Sequence, residues 1–193
     1  MRRITLTVLF ISGMTAMAFG QTCPPNIDFE TGDFSSWECS IGTTTAANGK
    51  NQINLTPSPP TKSRHEILTT ASMPTLDKYG RFPRLCPYGG KYSVQLGNDV
   101  TGAQAEGLSY TFIVPTTVDT FTFTYYYAVV FEDPGHDHSE QPRFYFTAYD
   151  VLTGEVINCA SYDYVATGSI PGFEKSPTNP GVLFKKWSPT SLQ

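Results

Sequence analysis

From Asp119 to Phe131 the chain reads DTFTFTYYYAVVF, and every second residue from Phe121 is aromatic or branched aliphatic. Phe121, Phe123, Tyr125, Tyr127, Val129 and Phe131 fall on one side of an extended backbone, with Thr120, Thr122 and Thr124 opposite. Side chains of a strand alternate faces with a period of two, so this pattern excludes a helix and demands a sheet with one buried face. LSYTFIV repeats it with Leu108, Tyr110, Phe112 and Val114 inward and Ser109 and Thr111 outward. RFYFTAYDV repeats it again with Phe144, Phe146 and Ala148. The alternation is longest in 119–132, so that strand is expected to be central and the most deeply buried. Thr, Tyr, Phe and Val dominate such runs because branched and aromatic side chains fit a pleated, half-buried surface.

Turn-forming strings punctuate the strands: ETGD, NGK, PSPP, DKYG, PYGG, VPTTVD, EDPGH, LTGE and TNPG. Many strands with short polar turns predict an all-β fold of the jelly-roll β-sandwich kind. Residues 42–90 are rich in Thr, Asn, Pro and Gly and are expected to form long loops with short strands. Residues 165–181 are expected to form a second long loop.

Residues 1–20 read as a signal peptide. Arg2 and Arg3 form a basic start, a short apolar run follows, and Ala18 and Gly20 place small residues for cleavage before Gln21. The run is too short to be a stable membrane span, and no later run approaches that length. Residues 21–193 suit one domain with a sizeable core. Removing the two arginines takes the formal net charge from −4 to −6. Such a surface repels phosphate backbones and anionic lipid, which argues against a nucleic-acid partner. Export permits disulfides among Cys23, Cys39, Cys86 and Cys159, and four cysteines allow three pairings. No C-x-x-C pair is present, so zinc-knuckle and thioredoxin-type readings are disfavoured.

VVFEDPGHDHSEQPRF, residues 129–144, holds two of the three histidines, His136 and His138, with Glu132, Asp133, Asp137 and Glu140. Glu132, His136, His138 and Arg143 are the candidate ligand-binding residues. The alternative is a solvated hairpin tip, since Pro134 and Gly135 put the histidines in a loop. Two histidines fall short of a zinc site, and HEILT at 65–69 has Thr69 where H-E-x-x-H needs its second histidine. NIDFETGDFSSW supplies Asp28, Glu30 and Asp33, three hard-oxygen donors around Gly32 that suit a structural Ca²⁺. An ordinary acidic turn uses the same residues. Tyr125 and Tyr127 read as core and Tyr126 as a surface partner, although exposed tyrosines also stack on sugars. No G-x-S-x-G or comparable nucleophile motif is present. Asn54 begins N-L-T, a glycosylation sequon in form.

DFETGDFSSW resembles the start of MAM-like and galactose-binding-like jelly rolls, which open on a Phe-Glu strand, an acidic turn and a Trp. GGKYSVQLGN, AEGLSYTFIVP, the long aromatic strand and KKWSPTSLQ follow in the same order. CPPNIDFETGDFSSWECSIG, YYYAVVFEDPGHDHSEQPRF and PGFEKS together resemble the N-terminal domain of large surface adhesins of gliding, type IX-secreting bacteria. The likeness covers about residues 23–193. In those proteins the domain precedes PKD-type repeats and a C-terminal sorting domain. The resemblance implies a non-catalytic adhesion or carbohydrate-recognition module at the bacterial cell surface. It also implies a cation at Asp28 and Glu30, shared with the last strand. By that comparison the sandwich lacks its last strand and is C-terminally incomplete. A jelly-roll glycoside hydrolase is the main rival, with a purely structural cap for later repeats as a third reading. The hydrolase requires two carboxylates facing each other across a cleft.

Overall fold

The computed structural model describes residues 23–114, 121–132, 135–167 and 169–192. The expected leader, the VPTTVD turn from Pro115 onward and the Asp133–Pro134 step lie outside these residues. Within them the chain is all-β, with ten strands and two single-turn 3₁₀ segments. None of the described helices is long and apolar enough to cross a membrane.

The first sheet has the order β2-β1-β5, with β1 at Glu38–Ala47, β2 at Lys50–Ser58 and β5 at Gln104–Ser109. Asn48 and Gly49 join β1 to β2, and Ala47 pairs with Lys50. Both turn residues have positive φ, 53° and 71°. That is the two-residue turn whose twist matches the flanking strands, and Asn-Gly is its strongest signal. The expected loop over 42–90 is therefore wrong for its first third. β1 and β2 are long strands with Thr and Asn residues facing water, where Asn54, paired with Thr43, donates diagonally from Nδ2 to Thr45 Oγ1 at 3.2 Å. Hydrophobic periodicity had nothing to report there, because little of that surface is apolar.

β3 (His65–Leu68) and β4 (Ser93–Leu96) form a two-stranded sheet joined to β1 and β5 by side chains. Arg64 carries the largest share. Its guanidinium pairs with Glu106 and donates to the Gly42 and Ala105 carbonyls at 3.3 and 2.9 Å. His65 is buried beside it. The Thr61 N–H donates to Nδ1 at 3.2 Å, so the proton sits on Nε2, which faces the Ser40 and Gly107 carbonyls at 3.1 and 3.3 Å. This histidine stitches sheets together.

The third sheet has the order β6-β10-β9, with β6 at Phe123–Glu132, β9 at Glu174–Lys175 and β10 at Val182–Leu192. The fourth pairs β7 (Arg143–Phe146) with β8 (Tyr162–Val165). Alternation in β6 is as the sequence shows: Tyr125, Tyr127, Val129 and Phe131 point inward against β7 and β8. Tyr127 stacks on Tyr162 at 4.9 Å, Tyr125 lies 4.5 Å from Phe146, and Phe131 stacks on Phe173 at 5.4 Å. The hydroxyls meet one another, Tyr125 with Tyr162 at 3.3 Å and Tyr127 with Tyr164 at 3.1 Å. Burial pushes the Tyr125, Tyr127 and Tyr162 phenols upward.

The expectation that β6 is central is overturned. Among the described residues its one hydrogen-bonded neighbour in the sheet order is β10, which has β9 on its other side. The most buried run is Val182-Leu183-Phe184, three consecutive residues at 0%, 6% and 2% exposure. Leu183 joins the aromatic layer under β7 and β8. Phe184 points the opposite way and stacks on Phe82 at 6.1 Å. A strand covered on both faces reads as a short continuous apolar run, which periodicity alone cannot rank above a longer alternating one.

Candidate functional site

Asp28, Glu30 and Asp33 lie in consecutive turns, so the Phe-Glu strand expected at 29–30 is absent. Asp33 Oδ1 accepts from Thr31 Oγ1 and Ser35 Oγ, both at 2.6 Å, and from the Ser35 N–H at 2.9 Å. Those bonds, led by Ser35, hold its carboxyl below the ordinary value. Asp28 Oδ1 accepts the Glu30 N–H at 3.2 Å. Glu30 Oε1 accepts the Lys91 and Tyr92 N–H groups at 2.7 and 3.3 Å, tying this turn to the Pro-Tyr-Gly-Gly loop. Each carboxylate thus serves a different backbone segment. No group of three or more His, Cys, Asp or Glu that could hold a metal ion forms among the described residues.

The 129–143 segment is no hairpin tip. β6 and β7 belong to different sheets, and the segment crosses between them. It is pinned to the β1–β2 turn. Buried Asn51 Nδ2 donates to the Gln141 carbonyl at 3.1 Å, and His138 Nδ1 lies 3.2 Å from the Gly49 carbonyl. Glu132 is exposed at the end of β6. His136 Nδ1 lies 3.8 Å from Glu140 Oε2, both side chains more than half exposed. Arg143 is mostly buried and already engaged. Its guanidinium donates to both oxygens of Asp163, at 2.7 and 2.8 Å, and to the Asn51 carbonyl at 3.1 Å. The guanidinium holds the Asp163 carboxyl below its ordinary value. The structure therefore brings His136 and Glu140 together, leaves Glu132 apart, and gives Arg143 a framework role. Asp163, unremarked in the sequence, is the partner that decides this.

All four cysteines are free thiols. Cys39 is buried, and burial pushes its thiol upward. Tyr126 faces away from the aromatic layer, opposite Pro189, and stacks on exposed Tyr88 at 4.7 Å.

A further candidate lies where two turns meet. In DKYGRF (77–82), Asp77 Oδ1 accepts the Tyr79 and Gly80 N–H groups at 2.9 and 2.6 Å, and the Asp77 N–H donates to the Phe82 carbonyl at 2.8 Å. Gly80 is buried, and a Cβ there would come within 2.5 to 2.7 Å of Phe82 and Phe184. The turn is thus pressed onto the outer face of β10. The SPTNPG turn (176–181) closes on it. Ser176 Oγ donates to the Tyr79 carbonyl at 2.8 Å, and Thr178 Oγ1 donates to the Lys78 carbonyl at 3.1 Å. Between them is an open cavity of about 400 Å³ lined by Lys78, Tyr79, Arg81, Thr178, Asn179 and Pro180. A ring, two cations, a hydroxyl and an amide line it. The sequence showed both strings only as turns. The one further signal is Asp77 followed by Gly80, which marks an Asp-capped turn and displays whatever flanks the glycine. A second open cavity, of about 480 Å³, lies beside β3 near Lys62, Glu66, Met73 and Arg84.

No protein family, curated protein or solved structure matches this chain.

Proposed function

We propose that this chain is an exported, non-catalytic recognition module of a bacterial surface adhesin, binding carbohydrate on a jelly-roll-like sandwich. The aromatic layer between β6–β10–β9 and β7–β8 supports the sandwich frame. The observation that carries the function is the cavity between the 77–82 and 176–181 turns. Tyr79 offers a ring for the apolar face of a sugar, while the Thr178 hydroxyl oxygen can still accept and the Asn179 amide Nδ2 can donate to its hydroxyls. Both turns are braced by side chain to backbone bonds, so little ordering entropy is spent on binding.

The test is a glycan array probed with the full chain and with Tyr79→Ala. Retention of a defined glycan set by the wild type, weakened by roughly tenfold in the variant, supports the reading, since an aromatic stacking contact is worth about 0.5–1.5 kcal/mol beyond the area it buries. An array without retained glycans overturns it. Release of new reducing ends from a retained glycan would favour the hydrolase instead.

A further inference from the structure

We infer that the cavity between the 77–82 and 176–181 turns selects acidic sugars, carboxylated or sulfated, with Arg81 as the anion contact; this rests on the carbohydrate reading of the same cavity. Two cations line the cavity, and they differ in what they already hold. Lys78 Nζ is paired with Asp99 at 3.3 Å and lies 4.9 Å from the Tyr79 ring centroid. Arg81 is exposed, and its guanidinium has neither an ion pair nor a hydrogen bond among the described residues. The other lining residues are Tyr79, Thr178, Asn179 and Pro180, so among the described residues that line the space none is a carboxylate. The nearby Asp77 carboxylate is taken up by the Tyr79 and Gly80 N–H groups. Asp99 offsets the charge of Lys78, which leaves Arg81 as the cavity-lining cation with no paired carboxylate among the described residues.

The backbone at Arg81 adds an independent argument. Its φ is +56°, the left-handed region that suits glycine and costs other L-residues roughly 1–2 kcal/mol. The Arg81 N–H donates to the Asp77 carbonyl at 3.2 Å, and the flanking Gly80 and Phe82 are buried against β10. The turn is therefore fixed in a conformation that holds the arginine outward at the cavity. A guanidinium presents paired N–H donors that match the two oxygens of a carboxylate or a sulfate. A pyranose stacked on Tyr79, with its acidic substituent toward Arg81 and a hydroxyl toward Asn179 or Thr178, would use every kind of group the cavity presents.

The test uses the full chain at physiological salt with immobilised polygalacturonate, dextran sulfate and neutral dextran. Variants are Arg81→Gln, Arg81→Lys and, as a remote charge control, Lys91→Gln, each checked for a wild-type circular dichroism spectrum. Binding to at least one acidic polymer is expected, and the preferred polymer tells carboxylate from sulfate. Arg81→Gln should weaken it roughly ten- to hundredfold, the range for losing a hydrogen bond to a charged group. Arg81→Lys should lie between, and Lys91→Gln should match the wild type. Equal losses in Arg81→Gln and Lys91→Gln would reduce the effect to general charge and overturn the assignment. Acidic-polymer binding unchanged in Arg81→Gln would overturn it as well. Dextran bound as tightly as the acidic polymers would overturn the selectivity and leave carbohydrate recognition standing. Failure to bind any of the three, with an empty glycan array, would overturn both.

Discussion

Phe184→Ala tests the assignment of β10 as the structural centre. Phe184 is 2% exposed, stacks on Phe82 from one side and sits opposite Val130 in β6. Truncation removes most of an aromatic side chain from a site that Gly80 also presses on, so collapse of the void is restricted. The cost for such a change is about 3–5 kcal/mol. In a chain of this size each 1 kcal/mol shifts the melting temperature by about 2–4 °C, so a drop of roughly 6–20 °C is expected. Phe123→Ala is the matched comparison. Phe123 begins β6 and is only half-buried, against Phe112 at 6.0 Å and Tyr125 at 5.8 Å. Much of its ring already meets water, and its truncation should cost less than half as much. Thermal melts followed by circular dichroism, with urea titrations for the free energies, give both numbers. Equal losses, or a larger loss for Phe123→Ala, would refute the placement of the core on β10 and restore the long alternating strand as its centre.

Two further outcomes follow from named contacts. Gly80→Ala should destabilise the fold by about 1–3 kcal/mol through overpacking against Phe82 and Phe184, read as a lower urea midpoint; a midpoint at the wild-type value would mean that the turn lifts freely off β10. The Asp163 carboxyl is held below its ordinary value by Arg143, so its folded-state pKa lies below the unfolded one. A depressed carboxylate contributes stability that is present above about pH 4 and is lost as the pH falls through the folded value. Asp163→Asn should therefore narrow its stability gap to the wild type as pH drops below that point, and a gap independent of pH between 2 and 6 would contradict the pairing.

How far the sequence could be read depends on the range of the interaction. Most local signals survived, although β5 ends at Ser109 and Val114, expected inward, is exposed. The alternation in β6 and β7 is where the structure has it, and the Asn48-Gly49 pair is a two-residue turn. What failed is what depends on partners distant in the chain. β1 and β2 carry few apolar residues, so their pairing rests on backbone bonds and Thr–Asn contacts that leave no hydrophobic period. Val182-Leu183-Phe184 is central because two separate segments cover its two faces, and neither segment is adjacent in sequence.

Candidate sites divide along the same line. Asp28, Glu30 and Asp33 look like cation ligands because turn capping and hard-cation binding draw on the same short carboxylates. Which role they take is set by whether the N–H donors of Ser35, Lys91 and Tyr92 arrive. Arg143 looks like a free anion contact until Asp163, twenty residues on, occupies its fork. Arg81 is the converse. Within DKYGRF it is a single basic residue in a turn, which is commonplace. Its meaning comes from a turn almost a hundred residues later, where Ser176 and Thr178 fasten the carbonyls of Tyr79 and Lys78. A cation becomes a binding group when the fold satisfies its neighbours and leaves it unsatisfied. Lys78 and Arg81 sit three residues apart, but Asp99 reaches the first and the second stands open to the cavity.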